Sequence, residues 1–221
     1  MNSQRIKGFF DLTLDFLFPA SDSIKKIEQT SAAELMRTLP RSEPSHTDVC
    51  TLFAYRDEKV KHLVWEIKYY KNEKIMDAVG FLIAQKIQER LANIPNHFYV
   101  VPIPLTLKRL RERGFNHTEL LSKSILKYLP SNFELATAIL KKVRHTPKQS
   151  SIEDRQERFN NIRGAFEVSR PENSQTETQF LQNKNIILID DVFTTGATML
   201  EAKRVLLAGG AVNVLTFAIA H

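Results

Sequence analysis

The chain has 221 residues, 43% hydrophobic and 25% charged, enough apolar material for one core with an appendage. A single cysteine, Cys50, excludes an internal disulfide framework and any multi-cysteine zinc site, and points to a reducing, cytoplasmic setting. The net charge of +6 is concentrated in residues 101–165, with 13 basic and 6 acidic side chains, against 14 and 13 in residues 1–100.

Such a basic middle third favours a polyanionic partner, whether pyrophosphate, nucleotide or nucleic-acid backbone; a solvated basic face is the alternative. The six histidines are scattered with no H-x-x-x-H spacing, so no structural metal is expected.

Arg5 and Lys7 precede an apolar cluster running from Phe9 to Phe18. Asp11 and Asp15 interrupt it, no small-residue cleavage site follows Pro19, and the run is too short to span a bilayer. It predicts an amphipathic helix that docks on the domain or a partner, with a membrane-surface anchor as the alternative. Residues 20–48 read as a polar linker containing one short helix, Glu34 to Leu39, started by a capping box from Ser31 to Glu34.

From Thr51 the character changes, which sets expected domains at 1–50 and 51–221. Leu52 to Tyr55 reads as a strand. Val60, Leu63, Val64 and Ile67 then mark an amphipathic helix, and Met76, Val79, Ile83, Ile87 and Leu91 a second one broken at Pro95-Asn96. Phe98 to Val101 is a buried strand stopped by a rigid turn, Pro102-Ile103-Pro104-Leu105.

Lys108 to Asn116 holds four cations in six residues before Gly-Phe-Asn, and suggests a loop closing over an anion; a solvated helix start is the alternative. Leu120, Leu121, Ser124, Ile125 and Tyr128 restore helical spacing. Leu135 to Leu140 is read as a strand, Lys141 to Gln149 as exposed and mobile, Ile152 to Asn160 as a polar helix, and Gly164 to Val168 as a strand. Residues 169–183 read as a polar surface excursion.

Ile186 to Ile189 is a short apolar run ending in Asp190 and Asp191, followed by Thr194-Thr195-Gly196-Ala197-Thr198 and a helix to Ala208. This is the pattern of a buried parallel strand feeding a loop at a helix N-terminus, where backbone N–H groups and the helix dipole favour phosphate. The carboxylates beside it would accept from vicinal sugar hydroxyls or help hold a divalent cation, so a sugar phosphate satisfies both halves. Val212 to Ala220 closes the chain as an apolar strand. Alternating strands and helices predict an α/β fold with a mostly parallel sheet.

Ile187 to Met199, ILIDDVFTTGATM, resembles the phosphoribosyl-pyrophosphate (PRPP) motif of the type I phosphoribosyltransferases. Val101-Pro-Ile-Pro-Leu105 with Arg111 to Asn116, the segment from Arg144 to Phe166, and Tyr55 to Tyr70 are similar to signatures of the ComF family within that superfamily. The resemblance covers Leu52 to the C-terminus and departs from the family in two ways. The four-cysteine zinc ribbon that usually follows the LDFLFP entry, here Leu14 to Pro19, is absent, so no zinc is expected, and His117 stands where glutamine is usual. No role is assigned to His117, with capping of the following helix as the bland reading.

The resemblance implies a type I phosphoribosyltransferase fold, with a central sheet, flanking helices, a small hood and an N-terminal helical arm. It implies Asp190 and Asp191 on the ribose hydroxyls and Mg2+, and Thr194, Thr195, Gly196, Ala197 and Thr198 on the 5′-phosphate. Pyrophosphate would lie against Pro102, Ile103, Pro104 and Leu105 with Arg109, Arg111 and Arg113 as cationic partners, while Arg144 closes from a mobile loop. PRPP and Mg2+ are then expected ligands, with a nitrogenous acceptor that no motif identifies, and a link to DNA uptake. Binding of PRPP, nucleotide or single-stranded DNA without transfer stands as the alternative, and a homodimer is left open.

Overall fold

The computed structural model describes residues 31–42, 49–91, 97–144, 155–169 and 181–221. The N-terminal apolar cluster, the break at Pro95-Asn96, residues 145–149 of the basic segment and most of the 169–183 excursion lie outside them.

Ser31 caps a short helix, α1 (Ala32–Thr38), its hydroxyl accepting from the Glu34 N–H as the capping box predicts. Leu35 and Leu39 are buried in the domain core, so this segment packs as part of the domain. Strand β1 (Val49–Phe53) begins just before the boundary expected at Thr51 and ends short of the Tyr55 expected. Residues 40–42 lie antiparallel to its outer edge, with Ser42 N–H donating to Leu52 and Ala54 N–H to Pro40. An edge covered in this way offers fewer open groups for another strand.

Asp57 caps α2 (Glu58–Tyr69), accepting from the N–H groups of Lys59 and Val60, and the predicted stripe of Val60, Leu63, Val64 and Ile67 is buried. Helix α3 (Glu73–Leu91) buries Met76, Val79, Ile83, Ile87 and Leu91 as the spacing predicts. The order then runs β2 (Phe98–Pro102), α4 (Leu107–Arg113), α5 (His117–Leu126) and β3 (Phe133–Leu135).

Two expectations are corrected here. Residues 107–113 are helical, capped by Thr106 and ended by Gly114 in a left-handed conformation (φ 77°), so the arginine-rich stretch is a solvated helix and not a loop. No α4 residue is buried, which is why no apolar periodicity announced it. Residues 135–140 do not form one strand: β3 ends at Leu135 and β4 (Leu140–Lys142) starts after a turn, because the two belong to different sheets.

Strand β4 pairs antiparallel with β5 (Phe166–Val168), and with the intervening α6 (Arg155–Ile162) they form the small hood. Strand β6 (Asn185–Val192), α7 (Ala197–Ala208) and β7 (Asn213–Ala220) finish the chain.

The main sheet has the order β1-β7-β6-β2-β3 with every neighbouring pair parallel. This is the expected α/β architecture, a central parallel sheet flanked by helices. From β2 the chain steps outward to β3, and from β6 it steps the other way to β7. The reversal falls between β2 and β6, and ligands of open parallel sheets bind at the carboxyl ends of the strands at such a switch point.

Side chains of β6 alternate between two cores. Ile187 and Ile189 join a cluster with α1, α2, α3 and α5, whereas Ile186 and Leu188 join one with α7 and the hood. Parallel strands covered on both faces are apolar throughout, which accounts for the unbroken run before the acids.

Candidate functional site

Strand β6 continues through both acids to Val192, with Asp190 paired to Ala218, so the carboxylates belong to the strand's last residues. The two-residue alternation of a strand then sends them to opposite sides. Asp191 follows Ile187 and Ile189 toward the face covered by α2 and α5, where Lys68 Nζ lies 3.2 Å and His117 Nε2 2.5 Å from its Oδ2. Asp190 follows Ile186 and Leu188 toward the hood, where Lys142 of β4 feels its charge. Both acids are buried.

The electrostatics diverge accordingly. Burial first, and then the neighbouring Asp191 charge, push the Asp190 carboxyl up to about 7. Asp191 is driven well below the usual carboxylate range: Lys68 and His117 outweigh the desolvation that opposes them. Burial lowers Lys68, but the Asp191 charge overrides it and holds the ammonium form above its ordinary value. Asp190 Oδ1 accepts from the Asp191 N–H at 2.9 Å. These bonds engage Asp190 Oδ1 and Asp191 Oδ2.

The threonine loop turns beneath α7. Gly196 sits at φ 78°, and a Cβ there would come 2.5 Å from the Phe193 ring, so only glycine fits this turn. It stands at the N-cap of a 12-residue helix with no side-chain cap. Thr195 Oγ1 is buried without a hydrogen-bond partner, an uncommon state for a buried hydroxyl. Ala197 is buried, Thr198 half-buried and Thr194 exposed. Uncapped N–H groups, the positive end of the helix and an unsatisfied hydroxyl suit a phosphate.

The turn at 102–105 offers less backbone than expected. Pro102 and Pro104 lack an N–H, and the Ile103 N–H donates to Ile189 O. Ile103 O accepts from Asn116 and Thr118, so Leu105 keeps the one N–H of the four not committed in these ways.

The predicted arginines separate. Arg109 and Arg113, one helical turn apart, share a face. Burial and then the Arg113 charge depress the Arg109 guanidinium. Lys142 is pushed down to about 8 by burial first and then by the Arg109 charge. Arg111 is exposed on another side of α4. Arg113 Nη1 lies 3.2 Å from His117 Nδ1 and its Nη2 3.4 Å from the Tyr69 hydroxyl. Arg144 is exposed, its guanidinium donating to Asn161 O and Arg163 O at 2.7 Å each at the end of α6.

The sequence reading missed Lys68, His117 and Lys142. Each left a trace. Lys68 continues the Val60-Val64 row on a buried face, and His117 the Leu121-Ile125 row. Lys142 follows the half-exposed alternation from Leu140 through Lys141. A polar residue on an apolar row was the available signal. The helix-capping alternative for His117 is overturned, since the Asn116 side chain caps α5 through the Thr118 N–H.

No family model matches the chain. It is similar to DNA utilization protein YhgH of Salmonella typhi, 29% identical over 154 residues, which are 69% of this chain and 63% of that protein. Competence protein ComFC of Bacillus subtilis is 36% identical over 114 residues, 52% of this chain and 40% of that protein. Competence protein F of Haemophilus influenzae is 30% identical over 107 residues, 48% and 43% of the two chains. The chain therefore spans less than two thirds of the length of these relatives. A hypoxanthine phosphoribosyltransferase of Staphylococcus aureus superposes with a TM-score of 0.39 and 10% identity, over 65% of this chain and 61% of that one, too remote to argue from. In sequence the chain is thus similar to DNA utilization and competence proteins, in line with the ComF-like motifs read above.

Proposed function

We propose that the chain binds PRPP with Mg2+ at the carboxyl ends of β2 and β6 and transfers its phosphoribosyl group to a nitrogenous acceptor. The observation that carries this reading is the buried acid pair beside the unsatisfied Thr195 hydroxyl at the N-terminus of α7. One part suits ribose hydroxyls, the other a 5′-phosphate, and a sugar phosphate carries both groups. In the reaction an acceptor nitrogen's lone pair forms the bond to C1, while the C1–oxygen bond breaks and pyrophosphate leaves with its electron pair.

Asp190 and Asp191 hold the hydroxyls and stabilise positive charge on the sugar, while Arg109 and Lys142 face the leaving anion. Arg144 would reach the site only by leaving its carbonyl partners, as a closing loop requires. Asp190 and Asp191 would hold Mg2+, one or two carboxylates plus phosphate being its usual company, and the ion would neutralise the pyrophosphate. The names of the relatives, DNA utilization and competence, support a place in DNA uptake.

Titration calorimetry with PRPP and Mg2+ should show binding by the wild type and its loss in Asp190→Asn/Asp191→Asn. Absent binding, or binding that the double variant retains, overturns the site. Pyrophosphate release across a panel of nitrogenous bases then tests transfer. Tight PRPP binding with silence toward every acceptor would favour the second reading, a PRPP- or nucleotide-responsive protein that handles single-stranded DNA.

A further inference from the structure

We propose that His117 is a positioning residue: locked by Arg113 as the neutral Nε2–H tautomer, it holds the Asp191 carboxylate so that Oδ1 faces the ribose. The proposal rests on the sugar-phosphate reading above. A guanidinium has donors and no acceptor, so the 3.2 Å contact from Arg113 Nη1 requires a lone pair on His117 Nδ1. The remaining ring proton is then on Nε2, 2.5 Å from Asp191 Oδ2, which accepts it.

Arg113 is itself held in place, stacked 4.9 Å over the Tyr69 ring and bonded to its hydroxyl. Lys68 reaches the same Oδ2, so two donors saturate that oxygen and leave Oδ1 for the ligand. His117 is buried, and Asn116 already caps its helix. Arg113 therefore serves Asp191 through the imidazole, and of the three arginines expected on pyrophosphate only Arg109 keeps that task.

The polarity of the relay makes a sharp test. In His117→Gln the amide oxygen can accept from Arg113 and the amide nitrogen can donate to Asp191, so PRPP affinity should be largely retained. His117→Leu removes both bonds and should weaken PRPP affinity by about tenfold or more, the scale for a hydrogen bond to a charged group. Arg113→Met should lose a similar factor, and Arg113→Met/His117→Leu should be no worse than either alone. Additive losses would place Arg113 on the ligand and overturn the relay, as would a His117→Gln protein as weak as His117→Leu.

Ring ¹⁵N resonances of His117 in the ligand-free protein read the tautomer without PRPP. Nε2–H is expected in the wild type, with the lock lost in Arg113→Met. A wild-type ring protonated on Nδ1 overturns the relay even where PRPP binds. The expected tautomer in a protein that binds no PRPP overturns the functional reading and the sugar-facing half of this one. Arg113→Met and the spectrum keep the test open if His117→Leu fails to fold.

Discussion

Asp190 and Asp191 share a peptide bond and differ by one proton's worth of environment. Asp191 sits between Lys68 and His117 and stays an anion; Asp190, buried beside that anion, is pushed up to about 7. Between the ordinary value of 3.8 and about 7 the folded protein keeps a proton on Asp190 that the unfolded chain has released. Stability contributed by this group therefore falls as pH rises through that window, and the full penalty is present above it. Asp191 runs the other way: its contribution is present above the unfolded value and is lost as pH falls toward its depressed one. Asp190→Asn should accordingly be more stable than the wild type at pH 8, by on the order of 1–3 kcal/mol, and nearly equal to it near pH 4. Thermal melts at the two pH values check this. A variant that is less stable at pH 8 would mean that Asp190 is held as an anion.

At the scale of elements, the site depends on two helices that approach closely. Helix α5 carries His117, and it packs on α3 at Gly80, where a Cβ would stand 2.6 Å from Ser124 Oγ and 3.0 Å from the Ser124 backbone carbon. Gly80→Ala gains about 1 kcal/mol of helix propensity, but overpacking costs about 1–3 kcal/mol. The expected result is a net loss of about 1 kcal/mol, read as a lower urea midpoint at unchanged slope, with partial recovery in Gly80→Ala/Ser124→Gly. Unaltered stability in Gly80→Ala would show that the two helices can part freely. The hood shares a buried apolar cluster with α7 through Ile162, Phe166, Met199 and Leu206, and is also tied by Glu201 of α7, which accepts from the Gly164 N–H at 2.7 Å and pairs with Arg204.

For the molecule as a whole, one apolar cluster runs from α1 across α2, α3 and α5 to the sheet. Leu35 is 1% exposed within it, although the sequence around it is polar. Leu35→Ala should cost about 2–4 kcal/mol in one cooperative transition, as core truncations do. A change of a few tenths, or a separate early transition, would make residues 31–42 an independent appendage. No helix among the described residues is long and apolar enough to cross a membrane.

Local chemistry made much of this legible. The apolar stripes of α2 and α3, the β6 strand, the glycine turn and the Ser31 cap follow from periodicity, turn geometry and capping, which act between residues near in sequence. Helix α4 was obscured because it buries nothing, and the 135–140 segment because sheet membership is not a local property. The sequence by itself determined one half of the candidate site: strand, acids, threonine loop and helix start lie within a few residues of one another. Only the tertiary structure decided which acid keeps its proton. That outcome depends on Lys68, His117 and Lys142, brought by three other elements to the ends of one strand, and on burial that no single segment specifies.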